Sequence, residues 1–440
     1  MTLMANKYFP HVLLALAALS AMSRSVSAAP PSTPSSKPFK RALVMSGGGI
    51  KFFYFVGIYD ALVNHGWKPD VVITTCGASV ASALIQGFPD PKERYEFIHS
   101  PRMFALLKKF RVVHGDSKHL GDLLSHVHYY QSRWDQHDDL IPDLFSMALM
   151  KDEPVDESFW RRQFDDRAPD QPHFVILGSQ AQFTPQDVEL PRRGAKLYKE
   201  VFFTDREVAP WIEGFDSAIS AQFPNSAIAS GTLTYTEVSV GDATSISIRD
   251  PFLFQPVERD GVFYTGSMVD LYPMELAHHL ADEVVMTFNP AFNRFETPAF
   301  GVVTGYDMNT RLRSVTNGEV DHWIDTSNPR SGAFSMDPLF KTGFPFGMKV
   351  VDGLPEDEDV TTVWGYRYTI PAEYEFSHRV SAAYAWGYEM GSESLILSIH
   401  GSTNHIRRKT EGNFHGPKPE TAEQEKKKSK FKFQLVKLQP

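Results

Sequence analysis

Two short segments of this chain place chemistry-bearing residues at sharp changes of chain direction. The first is Gly47-Gly48-Gly49. Consecutive glycines let backbone amides turn toward one point at a helix N-terminus, where an anion or a developing oxyanion is stabilised. No Gly-Lys-Ser/Thr ending follows, so this is not a nucleotide P-loop, and a plain tight turn is the other reading. The second segment is Cys76-Gly77-Ala78-Ser79-Val80-Ala81. A serine on a strained strand-to-helix turn presents its hydroxyl at the top of a sheet, and small neighbours make such a turn feasible. Ser79 is therefore the expected nucleophile, with an ordinary helix-capping serine as the alternative. Ala81 stands where the motif usually ends in glycine. Cys76, the only cysteine, is read as a small hydrophobe buried under the elbow, because a buried thiol without a cationic neighbour is inert.

These segments need a sheet and helices to hold them. Residues 41–46 form an apolar run that predicts a buried strand before the glycines. Phe53, Val56, Tyr59, Ala61 and Leu62 then follow at helical spacing, and Gly66 marks the stop. Val71 to Thr75 predicts a second strand, Val80 to Ile85 an apolar helix and Phe174 to Gly178 a further strand. Val284 to Phe288 is expected to complete the sheet, with Asn289-Pro290 closing it. The expected class is α/β, a three-layer fold on a largely parallel sheet. Residues 101–166, polar and aromatic with helical spacing, are read as an insertion beside the sheet, which leaves Phe104, Leu106, Leu107, Phe110 and Trp134 as either its core or an apolar mouth. Residues 291–415 are read as a loop-rich C-terminal extension with one helix-like run from His378 to Met390. The Lys-rich tail 416–440 is expected to be disordered.

The loop Gly47-Gly48-Gly49-Ile50-Lys51, the helix Gly57-Ile58-Tyr59-Asp60-Ala61-Leu62, the strand Pro69 to Thr75 and Ser79 on its elbow together resemble the patatin-like phospholipases. The resemblance continues to Tyr264-Thr265-Gly266-Ser267-Met268-Val269-Asp270-Leu271-Tyr272-Pro273 and covers residues 41–290. It implies a Ser/Asp dyad that cleaves acyl esters of lipids without a histidine, with Ser79 attacking the carbonyl and amides of Gly47, Gly48 and Gly49 holding the oxyanion. No cofactor or metal is expected.

The chain departs from the family at Phe52, where a glycine is common, and at the acid. Counting back from Pro273 puts Thr265 at the position of the catalytic aspartate, and a threonine hydroxyl is no base near neutral pH. Asp270 is the nearest replacement on the same segment. Asp260-Gly261 is read as a hairpin turn. His126 and His128 are further candidates for a base, and with His119, His137 and the aspartates around them they are otherwise a solvated polar segment lacking any His-Glu-x-x-His pattern. The expected function is hydrolysis of phospholipid or other acyl-lipid esters at a membrane surface. The alternatives are a lipid-binding or interaction module that has lost its acid, and an acyltransferase.

Composition fits this reading. The net charge is −9, from 44 basic and 53 acidic residues, which excludes nucleic-acid binding driven by overall positive charge. A single cysteine excludes a disulfide framework within one chain. Lys7, the apolar stretch Val12 to Met22 and the small residues Val26 and Ala28 have the order of a secretory signal. Residues 1–28 are therefore expected to direct export, periplasmic or secreted, ahead of a Pro/Ser-rich leader at 29–40. Protein partners are left open.

Overall fold

A computed structural model describes residues 37–326, apart from 48, 108, 113–116, 136–138, 147, 149, 153, 289–291 and 293–295, together with 360–363, 366–369 and 373–399. The expected export segment, nearly all of the leader, Gly48, Asn289-Pro290 and the lysine-rich tail lie outside the described residues.

Short β-branched runs that alternate with helices build a central sheet of nine strands among the described residues. These are β1 (Phe39–Met45), β2 (Val71–Thr74), β3 (His173–Ala181), β4 (Tyr198–Thr204), β5 (Leu233–Tyr235), β6 (Val257–Arg259), β7 (Val262–Thr265), β8 (Ala281–Phe288) and β9 (His322–Asp325). Their order is β9-β8-β1-β2-β3-β4-β5, and β7 pairs with both β3 and β6. The run β9-β8-β1-β2-β3 is parallel throughout, while β3–β4, β3–β7 and β6–β7 are antiparallel. The sheet does not end at Phe288 as expected. His322–Asp325 adds a parallel edge strand, too short for its apolar pattern to stand out in the sequence.

Alternate residues of each strand serve opposite layers, as the pleat requires. Leu43, Met45 and Val72 face one core, and Ala42, Val44, Val71 and Ile73 face the other. The helices that matter to the site are α1 (Phe52–Asn64), α2 (Ala78–Gly87), α3 (Pro91–Ile98), α4 (Ser117–Asp135), α5 (Val240–Ser247), α6 (Met274–Leu280), α7 (Met308–Thr316) and α8 (Glu373–Ile399). Phe104 packs on Phe376 of α8, Leu106 is in the core, and the Arg192 guanidinium lies over the Trp134 ring, so these side chains are packing residues. Asp260 and Gly261 form the β6–β7 hairpin turn, both with positive φ.

α1 is buried from Phe52 to Leu62, and a helix apolar all round needs cover on every side. The sheet covers one side and α8 the other. Their backbones meet where Gly57 faces the Tyr384 carbonyl and Gly387 faces the Tyr54 carbonyl. A Cβ would lie 2.2 Å from the first oxygen and 1.9 Å from the second. The one acid of α1, Asp60, is buried with the Arg94 guanidinium of α3 on one carboxylate oxygen and the Tyr384 hydroxyl of α8 at 2.9 Å from the other. α8 thus completes the layer that holds the glycine loop's helix.

On the opposite layer, Arg311 of α7 is 1% exposed and gathers Asp270, Glu275 and Gln222. Glu200 of β4 belongs to the same cluster, and its Oε2 has no hydrogen-bond partner. Burial, and next the Asp270 carboxylate, push Glu200 up to about 8, against a pull down from Ser217 and Arg311.

Two predictions follow from this packing. Gly387→Val drives a side chain into the α1 backbone and should cost roughly 1–3 kcal/mol or more, read as a lower Tm. Gly301→Ala, whose Cβ would meet nothing nearer than 4.0 Å, should leave Tm unchanged or slightly higher. Equal effects of the two would refute the close crossing. Glu200 is held protonated in the fold up to about 8, far above an ordinary carboxylate. Between the two values the unfolded chain binds fewer protons than the native one, so stability falls as pH rises through that window and levels off above it. Glu200→Gln should remove this fall. Denaturant midpoints at pH 5 and 8.5 should show the variant gaining on the wild type as pH rises, and a constant gap would refute it.

Candidate active site

β2 ends at Thr74 and α2 begins at Ala78, so the corner between strand and helix falls on Cys76 and Gly77. Cys76 has φ +49°, a left-handed conformation that costs a non-glycine residue about 1–2 kcal/mol. Its amide repays part of that by donating to Ser267 Oγ at 2.6 Å and to Ser247 Oγ at 3.0 Å. The residue with the strained backbone that a nucleophile elbow requires is therefore Cys76.

Ser79 lies one helical turn further on. It is fully buried, its hydroxyl donates to the Cys76 carbonyl at 2.6 Å, and its own carbonyl accepts from Thr244 at 3.3 Å. The bond to the Cys76 carbonyl ties the Ser79 hydroxyl to the corner residue. The expectation that Cys76 is an inert hydrophobe also meets a different surrounding: the sulfur donates to Asp250 Oδ2 at 3.1 Å. Burial first, then the Asp250 carboxylate, push the thiol pKa well above its ordinary value, while the amides of Gly77 and Gly49 pull it back. The resting group is a protonated thiol whose hydrogen points at a carboxylate.

The glycine loop reaches the corner directly. A Cβ on Gly77 would lie 1.7 Å from the Gly49 carbonyl oxygen, so only glycine at 77 lets loop and elbow touch. The Gly47 amide is committed to Thr75 Oγ1 at 2.7 Å, whereas the Gly49 amide is directed at the Cys76 sulfur. Gly49 is also exposed, which opens this side of the site to solvent. Two amides, Gly49 and Gly77, thus converge on the Cys76 sulfur. Phe52, at the family's usual glycine, packs into the core beside Phe53 and leaves this contact intact.

Thr265 ends β7, is 1% exposed and donates through Oγ1 to the Arg249 carbonyl at 2.8 Å. The place where the resemblance sets an acid therefore touches the backbone just before Asp250. Asp270 does not reach the corner. Its oxygens lie 3.3 and 3.0 Å from Arg311 Nε and Nη2, and Oδ1 also accepts from the Tyr272 amide at 2.9 Å. His126 Nε2 is 3.0 Å from the Asp143 carbonyl oxygen, and His128 is exposed, so neither is brought to the sulfur. Among the described residues no cluster of histidine, cysteine and carboxylate side chains is arranged to hold a metal ion.

Sequence reasoning missed Asp250 altogether, because 174 residues separate it from Cys76 and no motif spans them. A signal for Cys76 was present. The helical apolar period of α2 can start at Ala78, which leaves Cys76 and Gly77 as the only turn residues after the strand.

Comparison with known proteins adds a family. No curated protein matches the chain. Among solved structures, the crystal structure of VipD from Legionella pneumophila is similar at 13% identity and a TM-score of 0.31, over 81% of this chain and 67% of that one, a likeness too loose to argue from. A family model described as patatin-like phospholipase matches residues 43–278, from within β1 to within α6, and so takes in the glycine loop, the elbow, Asp250 and Thr265. With more than half of its residues under that model, the chain belongs to the patatin-like phospholipases, a family of lipid acyl hydrolases.

Proposed function

We propose that this chain hydrolyses acyl esters of lipids at the β2–α2 corner, with Cys76 as nucleophile and Asp250 as its base. The observation that carries this is the 3.1 Å hydrogen bond from Cys76 Sγ to Asp250, made by a residue in the strained elbow position. As the sulfur bonds to the ester carbonyl carbon, its proton passes to Asp250, and the oxyanion sits on the Gly49 and Gly77 amides. Collapse breaks the carbon–oxygen ester bond, and the leaving alcohol takes the proton from Asp250. Water then gives a proton to Asp250 and attacks the thioester. The fatty acid departs and the thiol regains its proton.

The alternative is a lipid-binding module without catalysis, and the carboxylate beside the elbow sulfur supports the catalytic reading over it. Ser79 is the rival nucleophile. Its hydroxyl would have to leave the Cys76 carbonyl and a fully buried site before attack. Export through residues 1–28 belongs to the same proposal, and its test is N-terminal sequencing of exported protein, which should begin at Ala29 or Pro30.

Hydrolysis of a short-chain p-nitrophenyl ester and of phospholipid vesicles tests the chemistry. Cys76→Ala should lower kcat/KM by about three powers of ten or more, and Asp250→Asn by about two to four, in line with loss of a nucleophile or base. Ser79→Ala should stay within about tenfold of wild type, because it removes one local hydrogen bond. Cys76→Ser should keep part of the activity while losing inhibition by iodoacetamide. Loss of activity in Ser79→Ala together with a fully active Cys76→Ala would return the role to Ser79.

A further inference from the structure

The turn from Thr265 to Pro273 touches every part of the site without supplying a reacting atom. Thr265 Oγ1 and the Gly266 amide both donate to the Arg249 carbonyl, at 2.8 and 2.7 Å, and so fix the residue preceding Asp250. Ser267 Oγ accepts from the Cys76 amide at 2.6 Å, which holds the elbow. The Leu271 carbonyl accepts from Thr75 Oγ1 at 3.1 Å, and that hydroxyl accepts from the Gly47 amide, which holds the glycine loop. Proposed base, proposed nucleophile and glycine loop are therefore braced against one eight-residue stretch, 266–273, whose only regular element is the 3-10 turn Ser267–Val269.

A stretch outside strand and α-helix keeps such a position only where something fixes it from behind. Ser179 Oγ donates to the Gly266 carbonyl at 2.9 Å and the Tyr306 hydroxyl to the Val269 carbonyl at 3.0 Å. The densest set of bonds comes from one buried guanidinium. Arg311 binds both oxygens of Asp270, donates to the Tyr272 carbonyl at 2.8 Å, and is itself aimed by Glu275 at 2.8 and 2.6 Å and by Gln222 at 3.2 Å. Only a planar fork with five donors can meet these acceptors together, which a lysine ammonium cannot do. Arg311 lies outside the segment matched by the family model.

We infer that Arg311, acting through Asp270 and the Tyr272 carbonyl, is the positioning residue of this active site, and that it sets the alignment of Asp250 with Cys76 from α7. The inference rests on the proposed hydrolysis at Cys76. It assigns Asp270 to alignment, with no proton transfer of its own.

The test compares wild type with Arg311→Lys and Asp270→Asn in the full chain. Both variants should lower kcat ten- to a hundredfold with KM within about threefold, because substrate contacts are untouched while the reacting groups lose alignment. A second readout is the pH profile of iodoacetamide alkylation of Cys76, the only thiol. Loosening the turn exposes the sulfur and parts it from Asp250, so the midpoint should move down toward an ordinary thiol. A global loss of fold would instead raise KM and lower kcat with temperature-dependent loss of secondary structure. If either variant fails to fold, Glu275→Gln, which weakens only the far side of the clamp, decides the matter: a three- to tenfold lower kcat at constant KM supports the inference, and an unchanged kcat overturns it. Folded variants with wild-type kcat and an unshifted alkylation midpoint also overturn it. A wild type whose turnover does not need Cys76 would sink the proposed chemistry alone, and the alkylation profile would still report on the brace.

Discussion

The carbonyl of Gly49 and the α-carbon of Gly77 approach so closely that no side chain fits between them, and the rest of the site depends on this contact. It brings two amides to the same point as the corner residue. Anything bulkier at 77 would push the glycine loop away and separate the Gly49 amide from the Cys76 sulfur. The contact also limits the corner's conformation, since the strand must end and the helix must begin within three residues. The left-handed backbone of Cys76 is the consequence, and hydrogen bonds from its amide to two serine hydroxyls offset the strain.

A thiol at this corner changes what the acid must do. A thiol is more acidic than a hydroxyl and gives a softer, more polarizable nucleophile, so it needs less help from its base than serine does. Here burial and a facing carboxylate keep it protonated, and on the proposed chemistry Cys76 and Asp250 stand in for the family's serine and aspartate. Thr265, at the family's acid position, spends its hydroxyl on the backbone preceding Asp250, so the two departures from the family pattern are joined by one hydrogen bond.

Support for the site comes from both sides of the sheet and from beyond the matched segment. α8 seals the otherwise fully apolar α1, and α1 carries the glycine loop at its start. α7 completes the other side, where Arg311 compensates carboxylates that would be costly to bury alone. The excess acid in that cluster is accommodated by Glu200, which keeps its proton because burial and the Asp270 carboxylate outweigh the pull of Ser217 and Arg311.

The sequence by itself determined the α/β class, the strands β1, β2, β3 and β8, the helices after the first two strands, and the pairing of a glycine loop with an elbow. These follow from local apolar period and from glycine placement, both of which are properties of neighbouring residues. The hairpin at Asp260-Gly261 was legible for the same reason. Which residue carries the left-handed backbone at the corner was not, because a helix start is uncertain by a residue or two from pattern alone, and the helix expected from Val80 begins at Ala78. Asp250 beside the sulfur and Arg311 behind the turn were decided only by tertiary structure. Each is set by side-chain contact between segments far apart in the chain, and neither hydrophobic period nor motif spacing carries information about such a contact.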